Sequence, residues 1–168
     1  AEGVGGDYST FQVIDITEAP YRIVAKFRQN NITPLLFPNI IHKVATEYNK
    51  AFVLVEINMS DQVAQILHQE LEFENILVVN KTAGNQVVGG GFGGGKSYLG
   101  VSTDKRVKRV GCHNFKAMVE EDKLLITDPD TISEISTFIE KRSSYEADEG
   151  YHDDLVMPLV LFGWLTTQ

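Results

Sequence analysis

Two apolar runs of strand length, residues 52–57 (FVLVEI) and 76–79 (ILVV), separated by an amphipathic helix, constrain this chain more than any other feature. Runs so continuous fit strands covered on both faces, which arise where helices pack on either side of a sheet. Upstream, residues 11–17 (FQVIDIT) and 21–29 (YRIVAKFRQ) are β-branched and aromatic segments parted by Glu18, Ala19 and Pro20, a strand-turn-strand signal. Pro38 stands where a first helical turn tolerates it, and Ile40, Ile41, Val44, Ala45 and Tyr48 follow at helical spacing. Ser60 and Asp61 cap the helix that carries Val63, Ile66, Leu67 and Leu71. The order β-β-α-β-α-β predicts an α/β fold with a mixed central sheet flanked by helices. At 168 residues, with no repeat and no composition break, residues 1–168 read as one domain.

Between residues 81 and 111 the periodicity dissolves into glycine, which predicts a long glycine-rich hairpin or loop insertion. Within it, Gly90-Gly91-Phe92-Gly93-Gly94-Gly95-Lys96-Ser97 matches the phosphate-loop pattern letter for letter. That chemistry needs a helix to open directly after the loop so that its first amides face the phosphates. Residues 98–103 (YLGVST) have no amphipathic helical pattern, so a nucleotide-binding enzyme is the lesser alternative and no nucleotide is expected in this domain. The favoured reading is a flexible arm that presents Lys96 and the basic residues after it to a polyanion. Helical spacing returns at Phe115, Met118 and Val119, and a short strand is expected at 124–127. Ile132, Ile135, Phe138 and Ile139 mark a helix begun near Pro129, and a last helix is expected from about 153 to 164.

Charge is uneven. The chain has 15 basic and 23 acidic residues, a formal net charge of −8, which taken alone opposes a nucleic-acid partner. Yet Lys96, Lys105, Arg106, Lys108 and Arg109 face one acid, Asp104, while Glu146, Asp148, Glu149, Asp153 and Asp154 cluster with no base among them. Acids that hold a metal would reverse the local field, as in sites that cleave phosphodiesters. The single cysteine, Cys112, supports neither an internal disulfide nor a zinc site, and redox chemistry is not expected. With neither a membrane-length apolar run nor a signal core, the chain reads as soluble and cytoplasmic.

Glu56 interrupts an otherwise apolar strand, where an unpaired carboxylate costs several kcal/mol, so it is expected to be paired, exposed at the strand end or metal-bound. Asp153 and Asp154 begin an apolar helix, where one can cap the N-terminus and leave the other free. Glu2 and Asp7 sit in a glycine-rich turn that leads into the first hairpin. Acids on separate elements suit hard divalent cations such as Mg2+ or Mn2+, one or two ions, with room for phosphate oxygens. His152 reads equally as a ligand, a proton shuttle or an exposed neighbour.

Residues 3–9 (GVGGDYS), 53–58 (VLVEIN), Gly111-Cys112 before a helix, and 149–157 (EGYHDDLVM) together resemble the C-terminal nuclease domain of the large terminase subunit of T-even-like tailed phages. The resemblance runs along nearly the whole chain, and the glycine stretch matches least. It implies an RNase H-like fold and metal-dependent cleavage of double-stranded DNA when a headful of genome has been packaged. The family's central-strand glutamate falls on Glu56 and its C-terminal-helix aspartate on Asp154, with Asp153 adjacent, while Glu2 and Asp7 match further acids. A third family acid falls two residues before Ala1, so residues upstream are expected, including a first strand and an ATPase domain. The implied partners are duplex DNA, that ATPase domain, the portal protein and the small terminase subunit, with no membrane. The implied location is the host-cell cytoplasm and, transiently, the procapsid portal vertex. A resolvase or recombination nuclease of the same fold would share the acidic site.

Overall fold

The computed structural model describes residues 8–89, 95–141 and 144–168. Strands β1 (Ser9–Asp15) and β2 (Tyr21–Gln29) form an antiparallel hairpin with a register shift between Val13 and Ile14, and β2 pairs in parallel with the short β6 (Leu124–Leu125). That sheet is mixed, in the order β1-β2-β6. Strand β3 (Val78–Thr82) is flanked on both sides, by β4 (Asn85–Val88) and β5 (Lys96–Leu99), all antiparallel, and β7 (Phe138–Lys141) pairs with β8 (Ser144–Ala147). The helices are α1 (Phe37–Glu47), α2 (Gln62–Gln65), which continues as a π-helical turn over Ile66–Glu70, α3 (Lys105–Glu120), α4 (Pro129–Ser136) and α5 (Val156–Leu165).

Several expectations are corrected here. Residues 52–57 do not make a continuous strand buried on both sides. Parallel bridges join Val53 to Ile76 and Glu56 to Val101, Val55 is buried, and Phe52 and Glu56 are exposed. One edge of the segment bonds first to one neighbour and then to another: the Val53 N–H donates to Asn75 O (2.8 Å) and the Ile57 N–H to Val101 O (2.9 Å). Gly100 permits that hand-over, because at φ +125° a Cβ there would come within 2.3 Å of the Val55 carbonyl oxygen. Phe138 and Ile139 belong to strand β7 rather than to the helix begun at Pro129. The buried residues of α4 are Thr131 and Glu134, whereas Ile132 is exposed.

Helix α3 begins ten residues ahead of the first expected periodic position, Phe115, at Lys105. Its buried face is Val107, Gly111, Cys112, Phe115 and Met118, a helical repeat in which Gly111 fills a position that reads as a break. Helix α5 is apolar on all sides, so it is buried among neighbours. Val156, Leu159 and Val160 pack with Cys112, Phe115 and Met118, while Leu161 and Trp164 pack with Val79, Val101 and Val107. A third cluster joins Phe37, Ile41 and Ala45 of α1 to Leu67, Phe73 and Ile76, and Phe11 and Phe27, stacked on each other at 5.2 Å, pack against it. Among the described residues, no helix is long and apolar enough to cross a membrane.

Polar contacts hold α4 to the hairpin. Lys26 Nζ donates to Asp128 Oδ1 (2.5 Å) and Asp130 Oδ2 (2.6 Å), and Gln12 Nε2 donates to Thr131 Oγ1 (3.2 Å). Asp128 also caps the helix, accepting from the Thr131 N–H and hydroxyl. Burial pushes the Asp128 carboxyl up, but the bonds from Lys26 and Thr131 outweigh it and hold the group below its ordinary value. A depressed folded pKa gives stability that is present above the unfolded value of about 3.9 and is lost as pH falls through the folded value. Asparagine keeps the cap and loses the charge, so Asp128→Asn should cost about 1 kcal/mol or less at pH 7. Melting curves of the two proteins should converge as pH drops below about 4.

Candidate functional site

Glu56 sits where residues 53–57 leave one neighbour for the other, fixed by the bridge to Val101. Its side chain is exposed, which removes the burial penalty expected for it. Oε1 accepts from Asn58 Nδ2 (3.0 Å) and, over a short bond, from the Thr103 hydroxyl, and Asn58 Oδ1 in turn accepts from the Thr103 N–H (2.6 Å). A neutral amide and a neutral hydroxyl thus aim the carboxylate through one oxygen. No Lys or Arg pairs with Glu56 among the described residues.

Asp154 lies just ahead of α5 and is half-buried. Its carbonyl oxygen accepts from the Thr10 hydroxyl of β1 (2.6 Å), and its Oδ2 lies 3.5 Å from His152 Nδ1. His152 is exposed and meets the edge of Tyr8 at 5.4 Å, and the Arg28 guanidinium lies over the Tyr8 ring at 4.1 Å. The residue at the N-cap of α5 is Leu155, whose apolar side chain supplies no cap bond. Asp153 uses its carbonyl to accept from the N–H groups of Val156 and Met157, while its Oδ2 accepts weakly from the Ala147 N–H at 3.4 Å. An acid from α4 also reaches the helix start: Glu134 Oε2 accepts from the Leu155 N–H at 2.7 Å.

The basic residues belong to two elements. Lys105, Arg106, Lys108 and Arg109 occupy the first turns of α3, capped by Asp104, which accepts from the N–H groups of Arg106 and Val107 at 2.9 Å each. They are therefore helical rather than part of a flexible arm, and Arg106 Nη1 also donates to Gly84 O (3.1 Å). Cations at a helix N-terminus oppose the dipole, so this end of α3 concentrates positive potential. Lys96 starts β5 with its ammonium 5.3 Å from the Tyr98 ring. A strand therefore follows the glycine string where a phosphate loop requires a helix. Residues 90–94 of that string, and the candidate acids Glu2 and Asp7, lie outside the described residues.

Glu56 and Asp154 are hard oxygen donors, suited to a cation such as magnesium that takes one or two carboxylates and completes its shell with water and phosphate. Their chemistry fits such an ion. Among the described residues, no three His, Cys, Asp or Glu side chains are grouped so that together they could hold a metal ion. Thiol chemistry is excluded from the site, since burial pushes the Cys112 thiol up to about 11 and keeps it protonated. Thr10, Arg28, Thr103 and Glu134 were not legible as site residues from the sequence. Glu134 stands between Ile132 and Ile135, where the helical repeat assigns a solvent-facing position.

The family model for the terminase RNaseH-like domain matches residues 1–162.

Proposed function

Because the chain belongs to the terminase RNaseH-like domain family, we propose that it is the metal-dependent endonuclease that cuts double-stranded DNA concatemers during genome packaging in a T-even-like tailed phage. The observation that carries this reading is Glu56: an exposed carboxylate, oriented by Asn58 and Thr103 and left unpaired by any cation of the described residues. A structural carboxylate would be salt-bridged, whereas one aimed by neutral donors and paired with no cation is ready to hold a divalent ion.

Glu56 and Asp154 are the principal ligands in this reading, with Asp153, Asp7 and Glu2 as further acids and His152 as an auxiliary group. Bound Mg2+ or Mn2+ would supply an activated water and charge stabilisation at the scissile phosphate. The protein's own part is to orient two carboxylates, to hold the duplex and to keep the phosphate in line with the attacking water. Lys105, Arg106, Lys108 and Arg109, with Lys96 on β5, would hold the duplex through its phosphates, which gives sequence-tolerant and salt-sensitive binding. In the full-length protein the partners are an ATPase domain, the small terminase subunit and the portal protein, and cutting takes place in the host cytoplasm at the portal vertex.

Substrate choice tests this reading against a resolvase of the same fold. With Mg2+ present, linear duplex DNA should be cut, and a four-way junction should be cut no faster than the duplex. Selective cutting of the junction at its branch would refute the packaging role.

A further inference from the structure

Glu134 is the one acid among the described residues that is buried, 6% exposed, on a helix whose other buried residue is Thr131. A carboxylate in that setting costs several kcal/mol unless it is paired. Oε1 lies 3.1 Å from Arg28 Nη2 as an ion pair without a hydrogen bond, and Oε2 accepts from the Leu155 N–H at 2.7 Å. The carboxylate thus sits at the N-terminal end of α5.

The Leu155 N–H belongs to the same peptide unit as the Asp154 carbonyl. That carbonyl is held by the Thr10 hydroxyl at 2.6 Å, so both polar ends of one planar unit are tied, one to β1 and the other to α4. With the plane fixed, so are the Asp154 Cα and the Cα–C axis about which its Cβ can turn, which narrows the directions open to the carboxylate. Arg28, itself laid over Tyr8, fixes Glu134 in turn.

We propose that Glu134 is a positioning residue for Asp154: through the Leu155 amide it sets the direction of the Asp154 carboxylate, with Thr10 as the opposing anchor. This inference rests on the reading of Asp154 as a metal ligand. Outer residues that orient a ligand are worth about 10- to 100-fold in metal affinity, and Glu134 acts at the lower end of that range because Thr10 remains.

The test uses the full-length protein, Mn2+ titration followed by calorimetry, and the amide resonance of Leu155. Glu134→Ala should weaken Mn2+ binding about tenfold, lower kcat for duplex cleavage with KM unchanged, and shift the Leu155 amide proton upfield. Glu134→Gln keeps an acceptor for that amide and should restore most of the binding and most of the shift, although it too loses the Arg28 ion pair. If Glu134→Ala fails to fold, Thr10→Val cuts the other tether of the same peptide and should weaken Mn2+ binding in the same direction. A folded Glu134→Ala protein with parental Mn2+ affinity, or a glutamine variant as weak as the alanine one, overturns the positioning role. Asp154→Asn separates the two readings. If it leaves Mn2+ binding intact, the ligand assignment itself fails, and if it abolishes binding while Glu134→Ala does not, only the positioning role fails.

Discussion

Asp154→Asn and Glu56→Gln should each lower duplex cleavage on the order of a thousandfold, equal to about 4 kcal/mol of transition-state stabilisation, while the protein stays folded. Each replacement keeps the shape of the side chain and removes the charge that a divalent ion needs. Neither change should unfold the domain, because Glu56 is exposed and Asp154 is tied to the fold by its main chain, through Thr10 and through Leu155. The glutamine can still accept from Asn58 and Thr103, so loss of cleavage there would report charge rather than misplacement. Single-turnover cleavage with metal in excess checks this, and retained cutting in either variant would remove that residue from the site.

The second large effect concerns the crossing of α3 and α5. Gly163→Ala places a Cβ 2.5 Å from the Gly111 carbonyl oxygen and 2.9 Å from the Phe115 nitrogen, both main-chain atoms that cannot swing aside. Alanine is better than glycine in a helix interior by about 1 kcal/mol, so propensity alone would make the change stabilising. Overpacking against backbone outweighs it, and the net loss should be about 3 kcal/mol. For a domain of this size that corresponds to a melting temperature lower by about 10 °C. Gly111→Ala should behave alike, because its Cβ would meet the Val160 carbonyl oxygen at 2.2 Å. A melting temperature equal to or above the parent's would show that the helices can move apart without cost.

The hairpin of β1 and β2, helix α1 and the apolar helix α5 are legible in the sequence because their own side chains bury them. Residues 52–57 misled because an apolar run predicts burial but not pairing. Here the pairing depends on Gly100, nearly fifty positions away, whose positive φ brings Val101 alongside. Strands β4 and β5 were missed because NQVV and KSYL are short and half polar, with a glycine run between them. Helix α3 was read short because Gly111 looks like a stop when its partner, Val160 of α5, is unknown.

The candidate site divides in the same way. Glu56 and Asp154 stand out locally, one as a charge within an apolar run and the other in an acidic string. Glu134, Arg28 and Thr10 do not, since each acts on a residue remote in sequence, and only the packing of α4 against the hairpin brings them to α5. The supposed arm of basic residues was likewise a helix start, which became legible once Asp104 was seen to cap it.

Where manganese binds tests the central claim most directly. In crystals of the protein soaked in Mn2+, the anomalous signal at the manganese edge should place the ion against carboxylate oxygens of Glu56 and Asp154, and the peak should vanish in Asp154→Asn. An ion seated at Lys96 and Ser97, or one that persists in the asparagine variant with neither carboxylate as a ligand, would contradict the account.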